Sequence, residues 1–127
     1  MGIKQLQKDI RNSGGKILST DTLNLNDLLT EAYDLICAYN LRTALKTDIE
    51  SVFENTDKED TKKLLPTVYN KYYGYVKIPD SKQEEANYLW NEDIYNYFDN
   101  IAPKNYYFGS SEGDGACIGF FHYDKEI

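Results

Sequence analysis

The chain has 127 residues, 41% of them hydrophobic and 14% aromatic, which suffices for one self-contained core and is too apolar for a disordered segment. A net charge of −7 and a pI near 4.6 argue against a free nucleic-acid duplex as partner, because binding phosphates needs a cationic footprint. Cys37 and Cys117 make neither a metal framework nor a disulfide scaffold, residues 1–12 lack an apolar signal core, and no run reaches membrane-spanning length, so a cytoplasmic, membrane-free protein is expected.

The charge is blocked along the chain: +3 over residues 1–20, −7 over 21–60, +4 over 61–79, −5 over 80–100 and −2 beyond. Ile3, Leu6 and Ile10 form a short helical stripe that the "NSGG" of 12–15 breaks, and "KILST" follows as a brief extended piece. The clearest helix carries Leu25, Leu28, Leu29, Ala32, Leu35, Ile36 and Tyr39, with Asn24 or Asn26 as its N-cap and Asn40 ending it. A second helix runs through Leu41, Leu45, Ile49, Val52 and Phe53 to near Asn55, and the short join predicts an antiparallel pair. Thr56 and Glu59 form a capping-box pattern for a further helix limited by Pro66.

The stretch 67–78 stays open between helix and strand: Tyr69, Tyr72, Tyr73 and Val76 fit helical spacing, while Tyr and Val also favour strands. Gly74, as a helix stop, leans the reading towards helix. After Pro79, a second capping-box pattern (Ser81, Glu84) opens a helix over 81–101. Its inner face reads Ala86, Leu89, Trp90, Ile94, Tyr97, Phe98 and Ile101, and Pro103 stops it. The closing "YYFGSSEGDGACIGFFHYD" of 106–124 reads as a hairpin turning at Asp114-Gly115. All aromatics except Tyr33, Tyr39 and Phe53 lie at or beyond Tyr69, so the first half should pack with Leu and Ile and the second with rings. The expectation is a single domain over 1–127, mainly α (α+β), with four to six helices and a C-terminal two-stranded β-hairpin on the Tyr/Trp-rich helix.

No catalytic constellation stands out, and the chain is not expected to be an enzyme. Cys117 and His122 are an odd separation apart on one strand and so point to opposite faces, and there is no other His. The adjacent acids Glu59/Asp60, Glu84/Glu85 and Glu92/Asp93 read as a solvated helix face rather than a glycosidase pair, and no metal-ligand spacing or cofactor motif is present. The glycine loop mainly turns the chain: Glu112 and Asp114 repel phosphate, and two carboxylates fall short of a calcium shell. A nucleotide or small anion contacting Glu112, Gly113, Asp114 and Gly115 is the alternative reading of this loop.

The basic, Tyr-rich stretch 61–79, with Lys62, Lys63, Lys71 and Lys77, offsets the neighbouring acidic helices; contact with RNA is its other reading. The acidic faces are the better candidate surface. Glu84, Glu85, Tyr88, Glu92, Asp93, Tyr95 and Asp99 on the 81–101 helix, with Asp27, Glu31, Asp34, Asp48, Glu50 and Glu54 earlier, set tyrosines among carboxylates. Such a surface suits a basic nucleic-acid-binding host protein, the rings anchoring and the acids steering association.

Phe108, Gly109, Gly113, Asp114, Gly115, Gly119 and Phe120 together resemble a closing signature of small phage and mobile-element proteins of unknown function. Ser111, Cys117-Ile118 and Phe121 depart from that pattern, which spans about a fifth of the chain. The resemblance implies a provenance and carries no activity. With the acidic faces, it leads to the expectation of an inhibitor of anti-CRISPR or anti-restriction type, occluding a basic site in a bacterial cytoplasm.

Overall fold

The computed structural model describes residues 2–20, 24–55, 76–111 and 113–122. Among these, four helices pack beside a three-stranded antiparallel sheet. Helix α1 (Ile3–Ser13) buries Leu6 and Ile10, and Gly14, in the left-handed region at φ 72°, turns the chain directly into β1 (Gly15–Ser19). Helix α2 (Leu25–Tyr39) starts where the Asn24 side chain accepts a hydrogen bond from the Asn26 N–H at 2.8 Å. It ends at left-handed Asn40, where the Leu41 N–H returns to the Ile36 carbonyl at 2.9 Å and buries the Leu41 side chain. Helix α3 (Thr43–Val52) follows at once, shorter than its apolar pattern predicts, because Leu41 belongs to the α2 terminus and Phe53 is extended.

The short pair β2 (Glu54–Asn55) and β3 (Val76–Lys77) is antiparallel, so the end of the ambiguous 67–78 stretch is strand. The rest of that stretch, and the Thr56/Glu59 capping pattern, lie outside the described residues.

Helix α4 covers 83–101 and is built differently from the simple helix its spacing implies. The expected Ser81/Glu84 capping box is not formed. Asp80–Lys82 makes a 3₁₀ turn instead, closed by the Lys82 N–H on the Pro79 carbonyl at 2.9 Å, and Gln83 reaches back to the Ile78 carbonyl at 3.1 Å. Between α-helical Gln83–Tyr88 and Tyr95–Ile101, the segment Leu89–Ile94 is π-helical. Its buried positions Trp90, Ile94 and Phe98 recur every four residues, a repeat that drifts around a 3.6-residue helix. The wider π turn absorbs that drift and keeps all three buried in the core.

Pro103 ends α4, left-handed Asn105 (φ 73°) reverses the chain, and β4 (Tyr106–Ser111) leads into β5 (Asp114–His122). The C-terminal hairpin is therefore present, with two corrections. It is not two-stranded: β1 pairs with β5 (Lys16 opposite Phe120, Ile17 opposite Gly119), giving the order β1-β5-β4. Its turn is not centred on Asp114-Gly115. Ser111 faces Asp114, and Gly113 carries the positive φ of 84°, so the reversal sits two residues earlier and β5 bulges after it.

The core divides as composition predicts. Leu28, Leu29, Leu35, Ile36, Leu45 and Ile49 fill the α2–α3 side, while Trp90, Phe98, Phe108 and Phe120 fill the α4–sheet side. Phe98, Phe108 and Phe120 lie 5.0–5.9 Å apart centroid to centroid, with Tyr95 edge-on to Phe108 at 5.3 Å. Gln7 of α1 donates to the Ile101 carbonyl at 2.8 Å, tying the first helix to the end of α4.

Candidate interaction surface

With its apolar stripe turned into the core, α4 presents Glu84, Glu85, Glu92 and Asp93 to solvent. Tyr88 stands among them and is 65% exposed. Lys82 lies 4.0 Å from Glu85, and the exposure of this pair makes it weak. Tyr95 does not share this surface. Its ring packs edge-on to Trp90 (6.2 Å) and Phe108, its hydroxyl laps over Gly109, and burial, with the Asp99 carboxylate and Tyr107 nearby, raises its pKa above the ordinary tyrosine value. Asp99 is exposed yet committed: it accepts the Phe108 N–H at 3.1 Å and fixes β4 on the helix. Of the seven residues, five thus form the exposed face, and Tyr95 and Asp99 hold the hairpin against the helix.

Packing α3 beside the middle of α4 adds what spacing alone did not provide. Asp48 comes to line the same groove as Glu92 and Asp93, with Asn96 and Asn100 along it and a volume of about 370 Å³. Arg42, at the start of α3, stands over the Tyr97 ring at 4.9 Å and closes one end. Two acidic blocks far apart in sequence are joined here into one negative surface. The π-helical turn carries Glu92 and Asp93 themselves. Among the described residues no cluster of three His, Cys, Asp or Glu is arranged to hold a metal ion. The groove's chemistry, carboxylates flanked by amides, matches the ammonium or guanidinium group of a basic side chain. Asp48 was legible as an outer-face acid; its neighbours across the groove were not, because they depend on how two helices pack.

At the hairpin tip Gly113 and Gly115 are exposed, and the Ser110 hydroxyl donates to the Gly115 carbonyl at 3.2 Å, closing the bulge on itself. Glu112 lies outside the described residues, as does most of the basic stretch 61–79; Lys77 is exposed on β3. Cys37 is exposed rather than part of the α2 apolar face, Cys117 is half-buried, and both are free thiols. His122 is exposed and packs edge-on to Tyr106 at 5.0 Å. It shares a β5 face with Ile118 and Phe120, and Cys117 belongs to the other. Among the described residues no helix is long and apolar enough to cross a membrane.

Compared with known protein families, curated proteins and solved structures, the chain matches none.

Proposed function

We propose that this is a small acidic protein of phage or mobile-element origin that binds a basic nucleic-acid-processing protein of its bacterial host and blocks that protein's nucleic-acid site. The observation that carries the reading is the α3–α4 groove, where Asp48, Glu92 and Asp93 extend the carboxylate face of α4. Tyr88 supplies an exposed aromatic anchor beside these acids. The carboxylates stand in for phosphates: they steer a cationic partner at long range and then occupy the positions that nucleic acid would fill. The C-terminal signature of Phe108, Gly109, Gly113, Asp114, Gly115, Gly119 and Phe120 supports the origin. No catalytic group, metal or cofactor enters this mechanism, since occlusion needs only complementary charge and shape.

The test is capture from a low-GC bacterial lysate by the tagged protein, with nuclease present, at low and high salt. A basic nucleic-acid-binding protein held after nuclease and released by salt is expected, and the purified pair should lose nucleic-acid binding stoichiometrically. Glu92→Lys with Asp93→Lys and Asp48→Lys should abolish capture while leaving the circular-dichroism spectrum unchanged. A folded triple variant that still captures and inhibits the same protein would sink the occlusion mechanism.

A further inference from the structure

This acidic chain carries one face that is basic. Lys4, Lys8 and Arg11 recur at the spacing of a single helical face, are all exposed, and stand opposite the buried Leu6 and Ile10 of α1. Among the described residues none of the three makes an ion pair. Asp9, the one acid of α1, is engaged elsewhere, accepting the Tyr39 hydroxyl at 2.6 Å and the Gln5 amide at 2.9 Å. From Lys4 to Arg11 the helix rises about 10 Å, roughly three phosphate steps of a nucleic-acid strand. At physiological salt, charges more than about 8 Å apart are largely screened, so this face rather than the net charge of −7 governs what binds beside it.

The face runs into a recess of about 530 Å³ lined by Ile3, Lys4, Asn40, Leu41, Arg42 and Tyr97. Its chemistry differs from that of the carboxylate groove beyond it. Two cations sit beside a half-buried ring, and Ile3, 40% exposed, adds an apolar wall. Arg42 stands over the Tyr97 ring, 4.9 Å from its centroid, and an unstacked base can lie on either a ring or a guanidinium. Asn40 is exposed at the rim, and its amide offers both a donor and an acceptor to a base edge.

We propose that α1 and this recess bind a short single strand of nucleic acid, its phosphates along Lys4, Lys8 and Arg11 and one unpaired base in the recess against Tyr97 and Arg42. A duplex would first have to release a base from its stack, at a cost of about a few kcal/mol. An acidic polypeptide would meet the lysines but bring no base to the ring. Asp48, Glu92 and Asp93, on the far side of Arg42, repel phosphate, so the strand ends at the recess instead of continuing along α4. The inference does not rest on the inhibitor reading, and the basic stretch 61–79 takes no part in it.

The probe is a fluorescent thymidine decamer titrated into the full chain, with anisotropy read between about 50 and 200 mM salt. Saturable binding is expected, with a log–log salt slope of about −2 to −3 from three or four phosphate contacts at about −0.7 each. Lys4→Gln with Lys8→Gln should flatten that slope by about 1.4. Lys82→Gln, before the opposite end of α4 from Tyr97, should leave it unchanged. Tyr97→Leu should weaken binding about fivefold or more without moving the slope, since it removes a stacking ring and no charge. An abasic strand of the same length probes that contact on the unaltered protein and should lose affinity in the same way, which keeps the recess testable if thermal melts show the Tyr97 variant unfolded. A uridine decamer run alongside separates RNA from DNA, and saturable binding of either supports the proposal. Five results would each overturn it: no saturable binding by either decamer, equal binding by the abasic strand, equal binding by a duplex decamer, equal binding by polyglutamate, or a slope that Lys82→Gln flattens and the Lys4 and Lys8 changes do not.

Discussion

The two packed regions of this protein solve the same burial problem with different materials. Between α2 and α3 the interface is largely aliphatic, and it holds the Tyr33 hydroxyl, which donates to Glu50 at 2.5 Å from a ring only 1% exposed. Between α4 and the sheet the interface is a stack of rings, in which Trp90, Phe98, Phe108 and Phe120 meet edge-on or tilted. Branched aliphatic side chains fill space by small adjustments, whereas rings are large, flat and directional, so the elements around them must leave gaps of set shape. The gaps here are glycines. A Cβ on Gly109 would sit 2.6 Å from the Tyr95 hydroxyl, and one on Gly119 would run into the β1 backbone at the Lys16 carbonyl and Ile17 Cα. The aromatic side therefore depends on particular residues more sharply than the aliphatic side does.

The most severe test of that contrast is Phe108→Ala, which empties the centre of the ring stack. It should cost about 3–5 kcal/mol, measured by urea or thermal unfolding, more than a leucine-to-valine change at Leu29. A cost under about 1 kcal/mol would show that the rings are not packed as a unit.

The two glycines sharpen the comparison next. Gly119→Ala meets backbone that cannot rotate away and should cost about 1–3 kcal/mol, with faster amide exchange in β1 as the strand lifts. Gly109→Ala meets the end of a side chain, so its cost should shrink when Tyr95→Phe is added. Equal costs in the two backgrounds would rule out the hydroxyl as the obstacle.

On the aliphatic side, Tyr33→Phe should cost about 1–1.5 kcal/mol by removing a hydrogen bond to a carboxylate. It also carries a pH signature. Burial first, then the Glu50 carboxylate, raises the Tyr33 pKa far above its ordinary 10.0. The folded state thus resists forming the phenolate, its stability is whole below pH 10, and that stability falls as pH rises beyond, where the unfolded chain loses its proton first. Tyr33→Phe should flatten part of this decline; Tyr39, raised chiefly by its bond to Asp9, and Tyr95, raised chiefly by burial, account for the remainder. An unchanged alkaline limb would discount the tie.

The smallest expected effect is Asn24→Ala, about 0.5–1 kcal/mol from the exposed α2 cap, readable as a modest drop in melting temperature.

Much of this architecture was legible from local pattern. The α2 boundaries follow from Asn24 and Asn40, each acting on backbone groups within a turn of itself. The hairpin follows from aromatic alternation around glycines, and the split between an aliphatic and a ring-filled core follows from where the aromatics lie along the chain. The exposed positions of Glu84, Glu85, Tyr88, Glu92 and Asp93 follow from helical spacing opposite the apolar stripe. Tyr95 misled, because a tyrosine on the acidic side of a helical wheel can still reach over a glycine onto a sheet.

What local pattern determined by itself, then, is which segments coil, where they stop and which side chains they must hide, since caps, periodicity and turn residues act over a few bonds. Only the folded arrangement decided that β1 joins β5, that the hairpin reverses at Gly113, that α4 widens at Leu89–Ile94, and that Asp48 stands beside Glu92 and Asp93. Each of these is a choice of register or packing between segments distant in sequence. Such a choice is set by which rings fit against which glycines and which helix faces close together, quantities that exist only once the chain has met itself.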